Sequence, residues 1–84
     1  MASWTIEDLN NWTDLLVIPN VISLDISNNN LTEIPLKVFK LINLQEFNCY
    51  FNKIKKLPKE IGQLINLQIF YCPYNKLKKI YQKK

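Results

Sequence analysis

Histidine and arginine are absent from the 84-residue sequence, and glycine occurs once. Without histidine, the chain can form neither a Ser-His-Asp triad nor the common zinc sites that combine histidine with cysteine. A single glycine excludes a glycine-rich phosphate-binding loop. The adjacent acids Glu7 and Asp8 are explained by a helix start, where the helix dipole favours negative charge. The sequence therefore predicts a protein that is not an enzyme and that uses no cofactor and no metal.

Long apolar runs and a basic-then-apolar leader are also missing, although apolar residues make up 48% of the chain. A membrane-spanning helix needs about 18 or more consecutive apolar residues. A signal peptide needs a basic segment followed by an apolar one. These absences predict a cytoplasmic, intracellular protein.

Positive charge is absent from the first part of the chain. Residues 1–36 contain no lysine and five acids, whereas residues 37–84 contain eleven lysines and two acids. The two parts carry −5 and +9, which together give the net charge of +4. Asparagine, isoleucine and lysine occur eleven times each, a bias typical of AT-rich coding sequence. This bias weakens the interpretation of each lysine as a functional residue.

Most of the chain follows one pattern with a period of 23 residues: residues 44–66 align without a gap on residues 21–43, and residues 67–84 align on the first part of the same pattern. The aligned columns are Val21, Leu44 and Leu67; Leu24, Phe47 and Phe70; Ile26, Cys49 and Cys72; Asn29, Asn52 and Asn75; Leu31, Ile54 and Leu77; Ile34, Leu57 and Ile80; Pro35 and Pro58; Val38 and Ile61; Leu41 and Leu64; and Asn43 and Asn66. Self-similarity at a fixed period of this length indicates a solenoid.

The columns, with their L-P-x-x-I-x-x-L back half, resemble the leucine-rich repeat family in its 23-residue intracellular type. The resemblance implies an α/β solenoid with a short parallel sheet of about three to four strands and an irregular or short-helical convex side. It divides the chain into an N-terminal helical cap with a partial repeat (1–20), two repeats (21–43 and 44–66) and a truncated third repeat (67–84). It also implies a concave strand face that binds another protein.

The N-terminal segment reads as a helix over residues 3–16. Thr5 and Asp8 have the spacing of a capping box, and Leu9, Trp12 and Leu16 make an apolar stripe on one helix face. We expect this helix to act as a cap whose two tryptophans cover the edge of the first strand. The alternative is a mobile helical tail.

Two columns of the pattern carry polar or reactive side chains inside the fold. The resemblance implies that Asn29, Asn52 and Asn75 are structural, each binding backbone groups of the loops around it. Cys49 and Cys72 lie one period apart at an inward strand position. We expect both to be reduced and to act as small, buried apolar side chains. A disulfide between neighbouring strands is within reach, but parallel side chains suit that bond poorly.

The strand alternation directs a second set of side chains outward, and these residues form the candidate partner-binding site. Its members are Tyr50, Phe51, Tyr71 and Tyr74, flanked by Lys53 and Lys76. Clustered exposed aromatic residues mark protein interfaces; the alternative is that the rings only shield the sheet and one another. The sequence does not identify the partner or the biological process.

Two further interpretations concern charge and the C-terminal end. Lysines beside aromatic rings would suit nucleic acid or an anionic membrane, but the modest net charge and the absence of arginine make either partner unlikely. The third repeat stops before its back half, so the chain is expected either to be a fragment of a longer array or to self-associate through this C-terminal edge. The monomeric alternative is that Tyr81 folds over Ile80.

Overall fold

The structure, a computed structural model, describes residues 2–77. Within these residues, four strands form one parallel sheet in chain order: β1 (Ala2–Thr5), β2 (Val21–Asp25), β3 (Glu46–Asn48) and β4 (Ile69–Tyr71). The helix α1 (Ile6–Asn11) follows β1, and two 3-10 helices (Leu36–Lys40 and Lys59–Gln63) connect the later strands. The predicted α/β architecture, a short parallel sheet with short helical connections, is confirmed.

The register of β2, β3 and β4 places residues 23 positions apart side by side. Leu24 pairs with Phe47, and Phe47 pairs with Phe70. Leu24 and Phe47 are fully buried, and the rings of Phe47 and Phe70 stack with centroids 5.5 Å apart. Because side chains alternate along a strand, the flanking positions are directed to the other face of the sheet. Equivalent side chains of successive repeats therefore lie next to one another across the sheet.

Each 3-10 helix follows a proline, Pro35 or Pro58, that stands at its N-cap position. Proline lacks a backbone N–H and has a fixed φ, which suits the start of a helical turn. Apolar residues in and directly after these helices pack behind the sheet: Val38 in the first helix is fully buried, and Leu64, which ends the second helix, is nearly so. The side opposite the outward strand side chains is therefore closed by short helical turns.

The N-terminal segment differs from the sequence prediction of a helix over residues 3–16. Residues Ala2–Thr5 form a strand that pairs with β2, and the helix runs only over Ile6–Asn11. The cap is therefore partly a strand, which covers the edge of β2 with backbone pairing. The capping residues are as expected, since the Asp8 carboxylate accepts the backbone N–H of Thr5 at 2.9 Å.

The helix ends early because Trp12 turns to an extended conformation, with φ −80° and ψ 108°. Asparagine, threonine and aspartate, which dominate this stretch, compete with helical hydrogen bonds. The indole Nε1–H of Trp12 donates to the carbonyl of Asp14, and the Asp14 carboxylate accepts the N–H of Leu16. This turn leaves Leu16 96% exposed, so the predicted Leu9–Trp12–Leu16 stripe is wrong at its last position.

One apolar core runs through the described residues. Its fully buried members include Leu9 from α1 and Cys49 from the loop after β3; Leu44 and Ile54 are buried beside them. Within residues 2–77 there is no helix with the length and apolarity needed to cross a membrane. The predictions for Ile80, Tyr81 and the end of the chain lie outside the described residues.

Asparagine side chains connect the loops that follow β2, β3 and β4. The Oδ1 atom of Asn52 accepts the backbone N–H groups of Asn29 and Leu31, both at 3.0 Å. Its Nδ2 atom donates to the carbonyls of Ile26 and Cys49 at 3.0 Å, and to that of Tyr50 at 3.3 Å. Asn52 is only 7% exposed, so these contacts satisfy backbone groups that would be costly to bury unpaired.

Asn75 repeats the arrangement one period later. Its Oδ1 atom accepts the N–H of Ile54, and its Nδ2 atom donates to the carbonyls of Cys49 and Cys72. Asn29 donates to the carbonyls of its own loop, those of Ile26 and Ser27. Asn52 and Asn75 each bind their own loop and the preceding loop, and so tie neighbouring loops together.

We expect Asn52→Ala to destabilise the protein by about 1–3 kcal/mol more than Asn48→Ala, because buried loop amides and carbonyls lose their partner. Asn48 is the matched control, since its side chain lies on the outer side of β3 and donates only to the Glu46 carboxylate. Urea unfolding of both variants measures the difference. Equal unfolding midpoints would contradict a structural role for Asn52.

Candidate functional site

The four outward aromatic residues form one continuous group, here called the aromatic cluster (Tyr50, Phe51, Tyr71 and Tyr74). Tyr50 packs edge-to-face on both Phe51 and Tyr71, with ring centroids 5.5 Å apart in each pair. Phe51 and Tyr74 are stacked almost parallel, with centroids 4.4 Å apart and an interplanar angle of 9°. The sequence predicted that these four rings lie close together, and the structure brings all of them into contact.

The cluster keeps much of its surface in solvent. Phe51 is 49% exposed, Tyr71 is 51% exposed and Tyr74 is 67% exposed, whereas Tyr50 is partly buried between its neighbours. The aromatic pair of Phe47 and Phe70 lies on the inner face of β3 and β4, whereas Tyr71, the next residue along β4, is directed to the outer face. The outer aromatic rings therefore form a contiguous apolar patch in addition to the core.

Two members of the cluster have backbone conformations that are unusual for their residue type. Phe51 has φ 53° and Tyr74 has φ 58°, which place both residues in the left-handed region. The equivalent position in the first repeat is Asn28, with φ 59°. Asparagine adopts this region readily, but a bulky aromatic residue does so at a cost of about 1–2 kcal/mol. Both rings thus occupy loop positions where a small or polar residue would be less strained.

Backbone contacts hold this conformation in place. The N–H of Phe51 donates to the carbonyl of Pro73 at 3.2 Å, as that of Asn28 donates to Tyr50 at 3.1 Å. Asn52, directly after Phe51, is fixed by its own side-chain hydrogen bonds. Strained residues persist where the surrounding structure determines their conformation, and they concentrate at functional positions.

Lys53 and Lys76 follow the left-handed residues by two positions and are both exposed. Their backbone N–H groups donate to the carbonyls of Leu31 and Ile54, at 2.7 and 3.0 Å. The positions of both lysines relative to the rings are therefore set by backbone pairing between loops. Residues 47–77 contain five lysines and only one acid, Glu60, so the rings lie in a basic segment.

The pattern of the sequence did not reveal the left-handed backbone of Phe51 and Tyr74. The only available signal was the first repeat, which carries Asn28 in the same column. A second feature was also missed: a cavity of about 470 Å³ beside α1, to which both tryptophans contribute. A capping role for Trp4 and Trp12 predicts that their rings are buried, but it does not predict a cavity beside them.

The two thiols are free. Cys49 directly follows β3 and is buried, and Cys72 directly follows the neighbouring strand β4 and is partly buried. Burial raises the pKa of Cys49 well above its ordinary range, and the neighbouring Cys72 acts in the same direction. Burial also raises the pKa of Cys72. Among residues 2–77, no three metal-ligating side chains come together at one point.

Comparison with known proteins identifies one family. The family model described as "Leucine Rich repeats (2 copies)" matches residues 19–64, which is more than half of the chain. No curated protein matches the chain at a significant level. The matched residues include Tyr50 and Phe51 of the aromatic cluster, while Tyr71 and Tyr74 follow the match.

The left-handed backbone at Phe51 predicts the order of two substitutions. Phe51→Gly should be about 1 kcal/mol more stable than Phe51→Ala, because glycine adopts positive φ without a steric penalty. Tyr50 is the control because its φ is not positive. There, Tyr50→Gly should be less stable than Tyr50→Ala by about 0.5–1 kcal/mol. Urea midpoints measure all four variants, and the same order at both positions would contradict the assigned strain.

Burial of the thiols predicts slow chemical labelling in the native protein. The thiolate is the reactive species, and a raised pKa keeps its population small near neutral pH. We expect both cysteines to react much more slowly in native buffer than in denaturant, with Cys49 slower than Cys72. Single-cysteine variants Cys72→Ala and Cys49→Ala allow each rate to be measured separately by mass spectrometry. Rapid labelling of Cys49 without denaturant would overturn the prediction.

Proposed function

Because the chain belongs to the leucine-rich repeat family, we propose that it is a binding module whose protein partner contacts the aromatic cluster. Leucine-rich repeat domains are generally protein–protein interaction modules and are typically not enzymes. In this proposal, Tyr50, Phe51, Tyr71 and Tyr74 anchor the partner, and Lys53 and Lys76 lie at the rim.

The observation that carries the proposal is the exposure of three aromatic rings, those of Phe51, Tyr71 and Tyr74, which are joined into one group through Tyr50. Shielding of the sheet would account for Tyr50, which is partly buried, but not for Tyr74, most of which is exposed. Aromatic residues are enriched in interface cores and among residues that dominate binding energy. Because the rings pack on one another and their backbones are tied to neighbouring loops, little conformational freedom is lost when a partner binds.

The lysines influence which partner surface fits. Lys53 and Lys76 flank the rings, and charges at the rim of an interface chiefly raise the association rate and select a partner of opposite charge. The proposed partner therefore presents an apolar patch for the rings with acidic residues around it.

The proposal is tested with Phe51→Asn/Tyr74→Asn, which removes the stacked rings. Asparagine is the natural residue of this column in Asn28, so the left-handed backbone is retained. The control is Ile42→Asn/Ile65→Asn, which removes two other exposed apolar side chains, also one period apart. In a quantitative pull-down, proteins retained by the native chain should be retained by the control and lost by the ring variant. Equal retention by the ring variant would refute the proposal.

An alternative is self-association through the edge of β4. Within residues 2–77, β4 has one strand neighbour, β3, and its outward residues Ile69 and Tyr71 are about half exposed. An open strand edge can pair with another chain. Sedimentation velocity over a concentration series decides between the two functions. A monomer at all concentrations rules out self-association, while a dimer that the ring variant still forms favours the edge.

Nucleic acid and anionic membrane are weaker alternatives, since basic residues flank the rings but the net charge is only +4. Binding to phosphate groups falls steeply as salt rises. A protein partner held by aromatic anchors should therefore stay bound when the salt concentration of the pull-down is raised. Complete loss of binding under these conditions would favour a phosphate ligand.

A further inference from the structure

A second surface lies at the opposite end of the sheet, between α1 and the turn that follows it. It is a cavity of about 470 Å³ lined by both tryptophans of the protein, Trp4 and Trp12, and by two carboxylate residues, Asp8 and Asp14. The indole rings meet at an interplanar angle of 64°, with centroids 5.9 Å apart. Val17 and Pro19 contribute apolar surface to the lining of the cavity.

We propose that this cavity binds an ammonium group carried on an apolar stem. Indole faces attract cations through their electron-rich surface, and rings that meet at a steep angle can contact one cation from two sides. The carboxylates of Asp8 and Asp14 supply the opposite charge. Val17 and Pro19 provide apolar contact for the stem. The lining therefore combines aromatic faces, carboxylates and apolar surface, and this combination favours an organic cation over a metal ion.

The walls of the cavity are held in place without a ligand. The Nε1–H of Trp12 donates to the carbonyls of Asp14 and Val17, at 3.0 and 3.1 Å. The Asp8 carboxylate is fixed by the N–H of Thr5, and the Asp14 carboxylate by that of Leu16. Within residues 2–77, these bonds use one oxygen of each carboxylate, which leaves the second oxygen for a cation. Such preorganisation reduces the conformational cost of binding.

The charge around the cavity favours a cation. Residues 1–36 carry five acids and no lysine. The ammonium of Lys37 donates to the backbone carbonyl of Trp12 at 2.8 Å, but Lys37 does not line the cavity. The site is independent of the aromatic cluster, which contains no carboxylate and is flanked by lysines, so failure of one proposal leaves the other intact.

Choline is a suitable probe, with 3,3-dimethylbutan-1-ol as its uncharged isostere. The two tryptophans are the only ones in the chain, so both indole N–H signals in a proton–nitrogen NMR spectrum report on the cavity. Choline should shift both signals in a saturable manner relative to sodium chloride at equal ionic strength. The uncharged isostere should bind about fivefold or more weakly.

Two matched variants separate a local contact from general charge. Asp14→Asn removes the charge and keeps an oxygen that can accept the N–H of Leu16, and it should weaken choline binding about threefold. Glu7→Gln removes the same charge from the same end of the chain, outside the cavity, and should leave binding unchanged. Equal losses in both variants, equal binding of the isostere, or absence of a saturable shift would overturn the proposal.

A second probe distinguishes the source of the ammonium group. N-acetyl-lysine N-methylamide carries a primary ammonium on the stem of a polypeptide side chain, whereas choline is a free quaternary ammonium. Tighter binding of the lysine compound assigns the cavity to a lysine of another polypeptide, and tighter binding of choline assigns it to a small quaternary amine. If neither cation shifts the indole signals, the cavity is not a cation site.

Discussion

The hydrogen bonds of Asn52 are the interaction on which the arrangement of the loops depends. Where the chain leaves the sheet, backbone groups point into a buried region and have no strand partner. The Asn52 amide pairs with two N–H groups of the preceding loop and with three carbonyls, one of them from the preceding repeat. Because one side chain serves two loops, neighbouring loops cannot turn independently, and the same geometry recurs at Asn75.

This constraint explains how exposed aromatic residues persist in a strained conformation. The left-handed backbone of Phe51 costs about 1–2 kcal/mol, whereas each net hydrogen bond contributes about 0.5–1.5 kcal/mol. The five bonds of Asn52 therefore outweigh the strain in the residue before it. The stacking of Phe51 on Tyr74 contributes about 0.5–1.5 kcal/mol more in the same direction. The hydrogen bonds of Asn52 therefore determine the loop geometry, and the rings occupy positions compatible with it.

The features that sequence could predict are those that repeat. The columns at Leu24, Phe47 and Phe70 determined the strands and their register, because each inward residue needs a neighbour of its own kind one period away. The strand Ala2–Thr5 was missed because it precedes the periodic region and too few residues show its alternation. The sequence located the rings of the aromatic cluster but not the φ of Phe51, since backbone conformation is set by hydrogen bonds to residues far along the chain.

The two proposed surfaces use aromatic rings in opposite electrostatic settings. In the proposal for the cluster, Lys53 and Lys76 flank the rings, so a cation is disfavoured and an acidic, apolar patch fits. In the cavity beside α1, carboxylates adjoin the indoles, and the preference is reversed. The uneven charge of the chain, −5 over residues 1–36 and +9 over residues 37–84, thus has a physical consequence. A single ligand group cannot satisfy both surfaces, and a partner that engages both must carry an acidic patch and a separate basic side chain.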